Sequence, residues 1–372
     1  MSRQYNVFAI NPGSTSTKLA MFEGDKMTFS VNVTHDANKL NEFNEIADQL
    51  PYRKATILNE LAKNNILLEG VDAFAARGGG LAGLEGGTYI VNEALLHHAR
   101  ICFAAKHPNT LASQIADDFT KIYGGKAFVV NPPDVDEFED VARISGVSDV
   151  FRQCKSHPLN QKEVAIRHAA SIGKCYEDMN LVIAHLGGGI SVTAHQKGKM
   201  IDSSDAINGE GPMAPTRAGT IPAVSIVKMC FSGKYTEREM YDRITKNGGL
   251  VDHLGVSDVR EVVALIDSGN QYAKLVLDAM IYQIGKHIGA YAAAMSGQVD
   301  AILLTGGIAH SKYLAEKLTA MVKFLAPVEV YAGEFELEAL AAGAIRVLSG
   351  EEEPKLYTGI PVWNGFDHLK SK

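Results

Sequence analysis

Val7-Phe-Ala-Ile-Asn11-Pro-Gly13-Ser-Thr-Ser-Thr-Lys18-Leu-Ala20 and Leu181-Val-Ile-Ala-His185-Leu-Gly187-Gly-Gly-Ile-Ser-Val-Thr-Ala194 are two versions of one pattern. Counted from Asn11 and from His185, each copy has Gly two residues on (Gly13, Gly187), Ala nine on (Ala20, Ala194) and Gly thirteen on (Gly24, Gly198). Each reads as an apolar strand, a turn of Gly and hydroxyl residues, an alternating strand and a second turn, Glu23-Gly24-Asp25 or Lys197-Gly198-Lys199, which is the pattern of a β-hairpin. Two equivalent hairpins predict two similar domains.

A third apolar strand, Ala301-Ile-Leu-Leu-Thr305, ends in Gly306-Gly307 and leads into a helical pattern over 311–324; it matches neither hairpin. Helical periodicity also covers 41–64, 109–123, 161–176 and 270–295, so strands and helices intermix and the class is α/β. The expected domains are residues 1–150, joined by the C-terminal segment from about 343 to 372, and residues 151–342.

The 372 residues suit two or three domains. Lys and Arg total 36 against 43 Asp and Glu, a net charge of -7, which disfavours nucleic acid as a partner. Apolar residues make up 46% and charged residues 21%, enough to bury a sizeable core. Cys102, Cys154, Cys175 and Cys230 contain no C-x-x-C pair and argue against a disulfide framework or a cysteine zinc site. The first apolar run is too short for a signal peptide, and the apolar stretch 275–295 carries Asp278, Lys286 and His287, so a membrane span is not expected; the expected location is the cytoplasm.

No Walker A sequence is present, and Gly78-Gly-Gly80-Leu-Ala-Gly83 has the spacing of a dinucleotide fingerprint without a helix pattern to follow it. Asn11 to Lys18 offers backbone N–H groups, hydroxyls and one ammonium at a strand end, which suits an anion. Alone, it reads as well or better as a polar turn. Its second copy favours two Gly-rich turns gripping the phosphates of one nucleotide.

The two hairpins resemble the phosphate loops of the actin, Hsp70 and sugar-kinase superfamily, and most of the chain resembles the acetate and butyrate kinase family. Glu210-Gly-Pro-Met-Ala-Pro-Thr-Arg217-Ala-Gly is similar to that family's E-G-x-M-x-x-T-R-x-G, Lys155-Ser-His157 to its T-S-H, and His185-Leu-Gly187-Gly188-Gly189 to its H-L-G-x-G. Gly255-Val-Ser-Asp258-Val-Arg260 and Ile288 to Met295 are similar to segments leading to its adenosine site. The resemblance implies two actin-like (ribonuclease H-like) domains with a nucleotide cleft between them, ATP/ADP and Mg²⁺ as cofactors, and a homo-oligomer, at least a dimer.

The implied acceptor is a carboxylate, which is ionised at neutral pH and needs no general base, only cations and positioning. Arg has the planar fork for that work. Arg77, before Gly78-Gly79-Gly80, and Arg217, before Ala-Gly, stand beside bare backbone; without the family pattern either reads as a surface charge or structural ion pair. The resemblance implies that Arg77 and Arg217 hold acceptor and transferring phosphoryl, that Asn11 contacts a phosphoryl oxygen, that His185 donates a hydrogen bond there and that His157 supports it. Gly13, Ser14, Thr15, Ser16, Lys18, Gly187, Gly188 and Gly189 fall to the phosphates, Asp258 and Arg260 to ribose and base, and Gly306, Gly307 and Ile308 to adenine. The family's polar G-E-N after that turn is Ala309-His310-Ser311 here.

Asp134, after Ala127-Phe-Val-Val, and Glu338, at a helix start, are the acids implied for Mg²⁺, with Asp136 and Glu336 as competitors; the family's F-D-T setting is absent around Asp134. Acetate-specific relatives carry Val where this chain has Gly79. A missing side chain there, in a pocket with Gly78 and Pro133, is expected to widen it for butanoate or a branched C4–C5 acid, each extra buried methylene being worth about 0.8 kcal/mol. The alternatives are an acetate or propionate kinase, a sugar or polyol kinase, and a nonenzymatic ATP switch.

Overall fold

The computed structural model describes residues 3–370; residues 1–2 and 371–372, the extreme ends of the expected domain ranges, lie outside the described residues. The strands are β1 (Asn6–Pro12), β2 (Ser16–Glu23), β3 (Lys26–Thr34), β4 (Ala73–Ala76), β5 (Thr88–Ile90), β6 (Lys126–Val130), β7 (Asn180–Leu186), β8 (Ile190–Gln196), β9 (Lys199–Ser203), β10 (Ala301–Gly306), β11 (Val328–Ala332) and β12 (Lys355–Leu356). They form a seven-stranded sheet, β12-β5-β6-β4-β1-β2-β3, and a five-stranded sheet, β11-β10-β7-β8-β9. The chain divides into two compact units, one drawn from residues up to Asp136 and from Phe335 onward, the other from Glu137–Glu334.

Each predicted hairpin is a three-stranded antiparallel meander. Asn11 pairs with Lys18 and His185 with Ser191, and both meanders carry a bulge late in the second strand, at Met21/Phe22 and at Ala194/His195. The duplication extends beyond the hairpins. β4 and β6 run parallel to β1 as β10 and β11 run parallel to β7, so β6-β4-β1-β2-β3 and β11-β10-β7-β8-β9 share one order and one set of directions. β1, β4, β7 and β10 are apolar runs buried on both faces, as interior parallel strands must be, while the edge strand β3 alternates.

In the first unit Phe8, Phe74 and Phe119 cluster in the core, the last from the helix Leu111–Tyr123. The C-terminal helix Glu336–Ser349 returns to this unit, and Tyr5 donates its hydroxyl to the Leu348 carbonyl at 2.8 Å. In the second unit the long helix Gln271–Ala294 packs along its sheet, and Asn270 caps it by accepting from the Ala273 amide at 3.0 Å. Among the described residues no helix is long and apolar enough to cross a membrane.

Three boundaries differ from the sequence reading. The helix expected over 41–64 begins at Leu50, after a short helix Ala37–Asn41 and a 3₁₀ turn, because Pro51 fits only the first turn of a helix. The helix expected over 161–176 is Pro158–Ser171, opened by another first-turn proline and stopped at Gly173, whose φ is +69°. The units change over at 136/137 and 334/335, against the expected 150 and 342. Glu137 is anchored in the second unit by an ion pair with Lys162 at 2.8 Å and by accepting from the Met200 amide at 2.8 Å, whereas Glu336 is tied into the first by Asn11 and Arg77.

Candidate active site

Arg53 shapes the first Gly-rich turn from beneath. It is fully buried on the helix Leu50–Lys63, and its guanidinium donates to the carbonyls of Gly13 at 2.9 Å and Ser14 at 2.7 Å and to Gln49 Oε1 at 3.0 Å. These bonds fix the carbonyl side of the turn, while the Gly13 amide closes it by donating to the Ser16 carbonyl at 2.7 Å. Burial lowers the Arg53 pKa to about 10, so it remains a cation at neutral pH. Ser14, Thr15 and Lys18 are exposed around this turn, and Gly13 and Ser16 are half-buried. Sequence reading missed Arg53, although Arg53, Ile57 and Leu61 stand at successive four-residue steps on one buried helix face, and a charge on an apolar stripe is a visible signal.

Three expected positions meet in the first unit. β1 brings Asn11 and the end of β4 brings Arg77, whose amide donates to the Ile10 carbonyl at 3.1 Å. The first turn of the helix Glu336–Ser349 brings Glu336, which accepts from Asn11 Nδ2 at 2.7 Å and is ion-paired to Arg77. It is therefore Glu336, rather than Glu338, that the structure joins to Asn11 and Arg77; Glu338 lies half-buried on the same helix. Asp134 is half-buried in the turn after β6, and its charge contributes, after burial, to raising the Tyr357 pKa. Among the described residues no three His, Cys, Asp or Glu side chains are grouped to hold a metal ion. Mg²⁺ takes only one or two protein carboxylates alongside phosphate and water, so a two-acid donor set fits its chemistry.

Gly78, Gly79 and Gly80 have φ of +64°, +144° and +70°, conformations that favour glycine. Gly79, expected to widen a pocket, faces the Asn109 side chain. A Cβ on Gly79 would stand 2.5 Å from Asn109 Nδ2, so the space of the missing side chain is filled by the Asn109 amide, and the glycines answer to backbone shape and packing. Pro133 is half-buried beside Asp134.

In the second unit Arg217 lies across the second Gly-rich turn. Its guanidinium donates to the Ala206 carbonyl, and a Cβ on Gly189 would coincide with it. Thr216 fastens the strand of chain leading to it by donating its hydroxyl to the Gly188 carbonyl at 3.0 Å. Burial lowers the Arg217 pKa, and its buried Nε has no hydrogen-bond partner among the described residues. His157, just before the helix Pro158–Ser171, and His185, on β7, stack with ring centroids 3.9 Å apart and planes 13° apart. His185 Nδ1 lies 2.9 Å from Asn160 Oδ1 and His157 Nδ1 2.7 Å from Ser191 Oγ. Arg152, also missed, ties Asp202 at 2.8 Å and Glu210 at 2.6 Å into one network and so steadies the loop that leads to Arg217.

Beside that turn opens a cavity of about 790 Å³. Gly187, Gly188, Asp258, Arg260, Gly307 and Ile308 are in its wall as the sequence pattern grouped them, joined by Thr216, Val263, His310, Lys312, Tyr313 and Glu334. Gly306 works one layer back: with φ of +89° it lets the end of β10 approach the Leu186 backbone of β7. Asp258 caps the helix Val259–Asp267 by accepting from the Arg260 amide at 2.8 Å, and the Arg260 side chain holds its carboxyl down at about 2. Within the second unit, the Gly187–Gly189 turn, the Arg217 guanidinium across it and a cavity with mixed walls offer groups for an anion that carries a flat ring.

The sequence profile of the Acetokinase family matches residues 149–335. A "Probable butyrate kinase" of Clostridium botulinum (strain Alaska E43 / Type E3) is 45% identical over 95% of this chain and 99% of its own length. "Butyrate kinase 2" of Clostridium acetobutylicum is 43% identical over 95% of this chain and 99% of its own. The solved structure of Porphyromonas gingivalis acetate kinase superposes with a TM-score of 0.75 at 21% identity, covering 92% of this chain and 100% of that one. A propionate kinase from Francisella tularensis gives 0.70 at 18%, covering 91% and 98%. These two likenesses show the fold, and the identity along the chain shows the kinship: this protein belongs to the acetokinase family.

Proposed function

We propose that this enzyme transfers the γ-phosphoryl group of ATP to butanoate or a branched C4–C5 acid, giving ADP and an acyl phosphate, reversibly. A carboxylate oxygen forms the new P–O bond as the bond to the β-phosphate oxygen breaks; the acceptor is already ionised, so no proton has to be removed. The observation that carries this reading is the half-buried Arg217 guanidinium laid over a glycine turn, a cation beside backbone that carries no side chain. The C4 acceptor is supported by the names of relatives 43% and 45% identical.

In this reading Arg77 receives the acceptor carboxylate, Arg217 and His185 take the charge on the transferring group, His157 supports them, and Asn11 contacts a phosphoryl oxygen. The turns at Gly13–Lys18 and Gly187–Gly189 hold phosphates, and the cavity walled by Asp258, Arg260, Gly307 and Ile308 takes the adenosine. Asp134 and Glu338 would hold Mg²⁺, which supplies charge neutralisation on the phosphates when bound. The enzyme acts in the cytoplasm, where Cys102, Cys175 and Cys230, which form no disulfide, would stay reduced. It works as a homo-oligomer, supported by the apolar helix Ala223–Cys230, which buries none of its residues and is followed by Phe231 at 87% exposure.

Hydroxylamine trapping tests the reaction. With ATP and butanoate, hydroxamate should form in proportion to enzyme; a yield no higher than the acid-free control overturns the reading. A higher specificity constant for acetate than for butanoate and isobutyrate would overturn the C4 assignment alone.

A further inference from the structure

Behind the stacked histidines runs a chain of hydrogen bonds. Tyr176 Oη lies 2.7 Å from His195 Nδ1, His195 Nε2 3.1 Å from Gln161 Oε1, Gln161 Nε2 2.9 Å from Ser191 Oγ, and Ser191 Oγ 2.7 Å from His157 Nδ1. Gln161, Ser191 and His195 are each 0% exposed, so no water relieves a mismatched donor.

Counting hydrogens gives this chain a direction. Gln161 Nε2 also lies 3.4 Å from the Ser191 backbone oxygen, and an amide oxygen turned to that side would face a carbonyl. The nitrogen end of Gln161 therefore points at Ser191, and since an amide nitrogen only donates, Ser191 Oγ accepts from it. The single hydroxyl hydrogen of Ser191 then goes to His157 Nδ1, and a neutral His157 ring carries its own hydrogen on Nε2. At the other end Gln161 Oε1 only accepts, so His195 donates from Nε2 and receives the Tyr176 hydroxyl hydrogen at Nδ1. Burial, and then the charge of Lys162, keep His195 neutral, as a ring with one hydrogen requires.

We propose that Gln161 is a positioning residue for phosphoryl transfer: its amide, keyed to the Ser191 backbone oxygen, locks His157 as the Nε2–H tautomer. With the amide reversed, every donor in the chain reverses, and a neutral His157 presents a bare lone pair at Nε2. Phosphoryl oxygens are held by the first form and repelled by the second. The benefit to the reaction rests on the role proposed above for His157; the tautomer itself does not.

Long-range ¹H–¹⁵N correlation spectra of the full-length protein with labelled histidine read the tautomer directly, with His157→Gln assigning the signals. The wild type is expected to show neutral His157 with hydrogen on Nε2 alone; hydrogen on Nδ1 alone overturns the proposal without any variant having to fold. Gln161→Met removes the donor that orients Ser191, so the two His157 ring-nitrogen shifts should move toward each other as tautomers mix, and kcat should fall about tenfold. Unchanged shifts in that variant overturn the proposal. Tyr176→Phe removes only the far donor and should leave the His157 shifts in place; their movement would shift control from Gln161 to the tyrosine and also overturn it. The expected spectra alongside a failed hydroxamate assay would sink the proposed reaction and leave the tautomer lock standing.

Discussion

Arg77 is ion-paired to Glu336, a residue far away in sequence that lies in the first turn of the helix returning to the first unit. Both side chains are 16% exposed, so neither charge is well hydrated if its partner is removed. Each of Arg77→Met and Glu336→Gln is expected to cost about 1–3 kcal/mol of stability. Combined in one protein they should cost less than the sum, with a coupling of about 1 kcal/mol or more. Urea unfolding of the four proteins measures this, and additive costs would show that the contact carries no stability.

Thr17 and His35 form a buried pair, Thr17 Oγ1 lying 2.8 Å from His35 Nε2 beneath the first Gly-rich turn. Burial first, and the neighbouring Arg53 cation second, lower the His35 pKa from 6.5 to about 4. The folded protein thus binds this proton less well than the unfolded chain. The stability associated with neutral His35 is full above about pH 6.5 and is lost as pH falls toward about 4, at most about 3 kcal/mol. Subtracting the pH dependence of His35→Gln from that of the wild type isolates it. A difference that is flat across this window would refute the assignment.

The hairpins were legible because turn glycines and buried apolar strands leave a repeat in the sequence itself. The repeat in fact runs further: Ala73 to Gly78-Gly79 and Ala301 to Gly306-Gly307 have the same spacing, and β4 and β10 occupy the same place in their sheets. Comparison of the hairpins alone does not reach it, because very different lengths of chain intervene in the two units. Which of Glu336 and Glu338 meets Arg77 was not legible in the sequence: residues two apart on a helix do not share a face, and only packing decides which one looks at Arg77. Arg53 showed in the sequence only as a charge on an apolar helix stripe, because a buried cation balanced by carbonyls leaves no acidic partner to notice. The neighbour that a side chain at Gly79 would meet, Asn109, is one that only the tertiary fold supplies.

That neighbour leads to a test of selectivity. Gly79 has φ of +144°, a region essentially reserved for glycine, and any side chain there also meets Asn109. Gly79→Ala should therefore lower stability by about 1–3 kcal/mol and depress kcat/KM for acetate and butanoate together, leaving their ratio within about twofold. Thermal unfolding and initial rates with both acids settle it. A selective loss of butanoate turnover in a protein of unchanged Tm would restore the pocket-widening role to Gly79.

Gly189 offers the converse experiment, because its backbone is not in the left-handed region and alanine there brings no backbone strain. What the new methyl group meets is the Arg217 guanidinium, together with the Ala206 carbonyl at 3.0 Å. Gly189→Ala should therefore push Arg217 off the turn while leaving β7 and β8 paired. If Arg217 stabilises the transferring phosphoryl group, kcat should drop about a hundredfold or more, as on removing a donor to a developing oxyanion, with a smaller change in nucleotide affinity. Adding Arg217→Gln to Gly189→Ala should then cost little more, since two changes that disable one group do not add. A full-strength additional loss in the double variant would mean that Arg217 still reaches its ligand with the methyl in place, and that the turn tolerates what this geometry forbids.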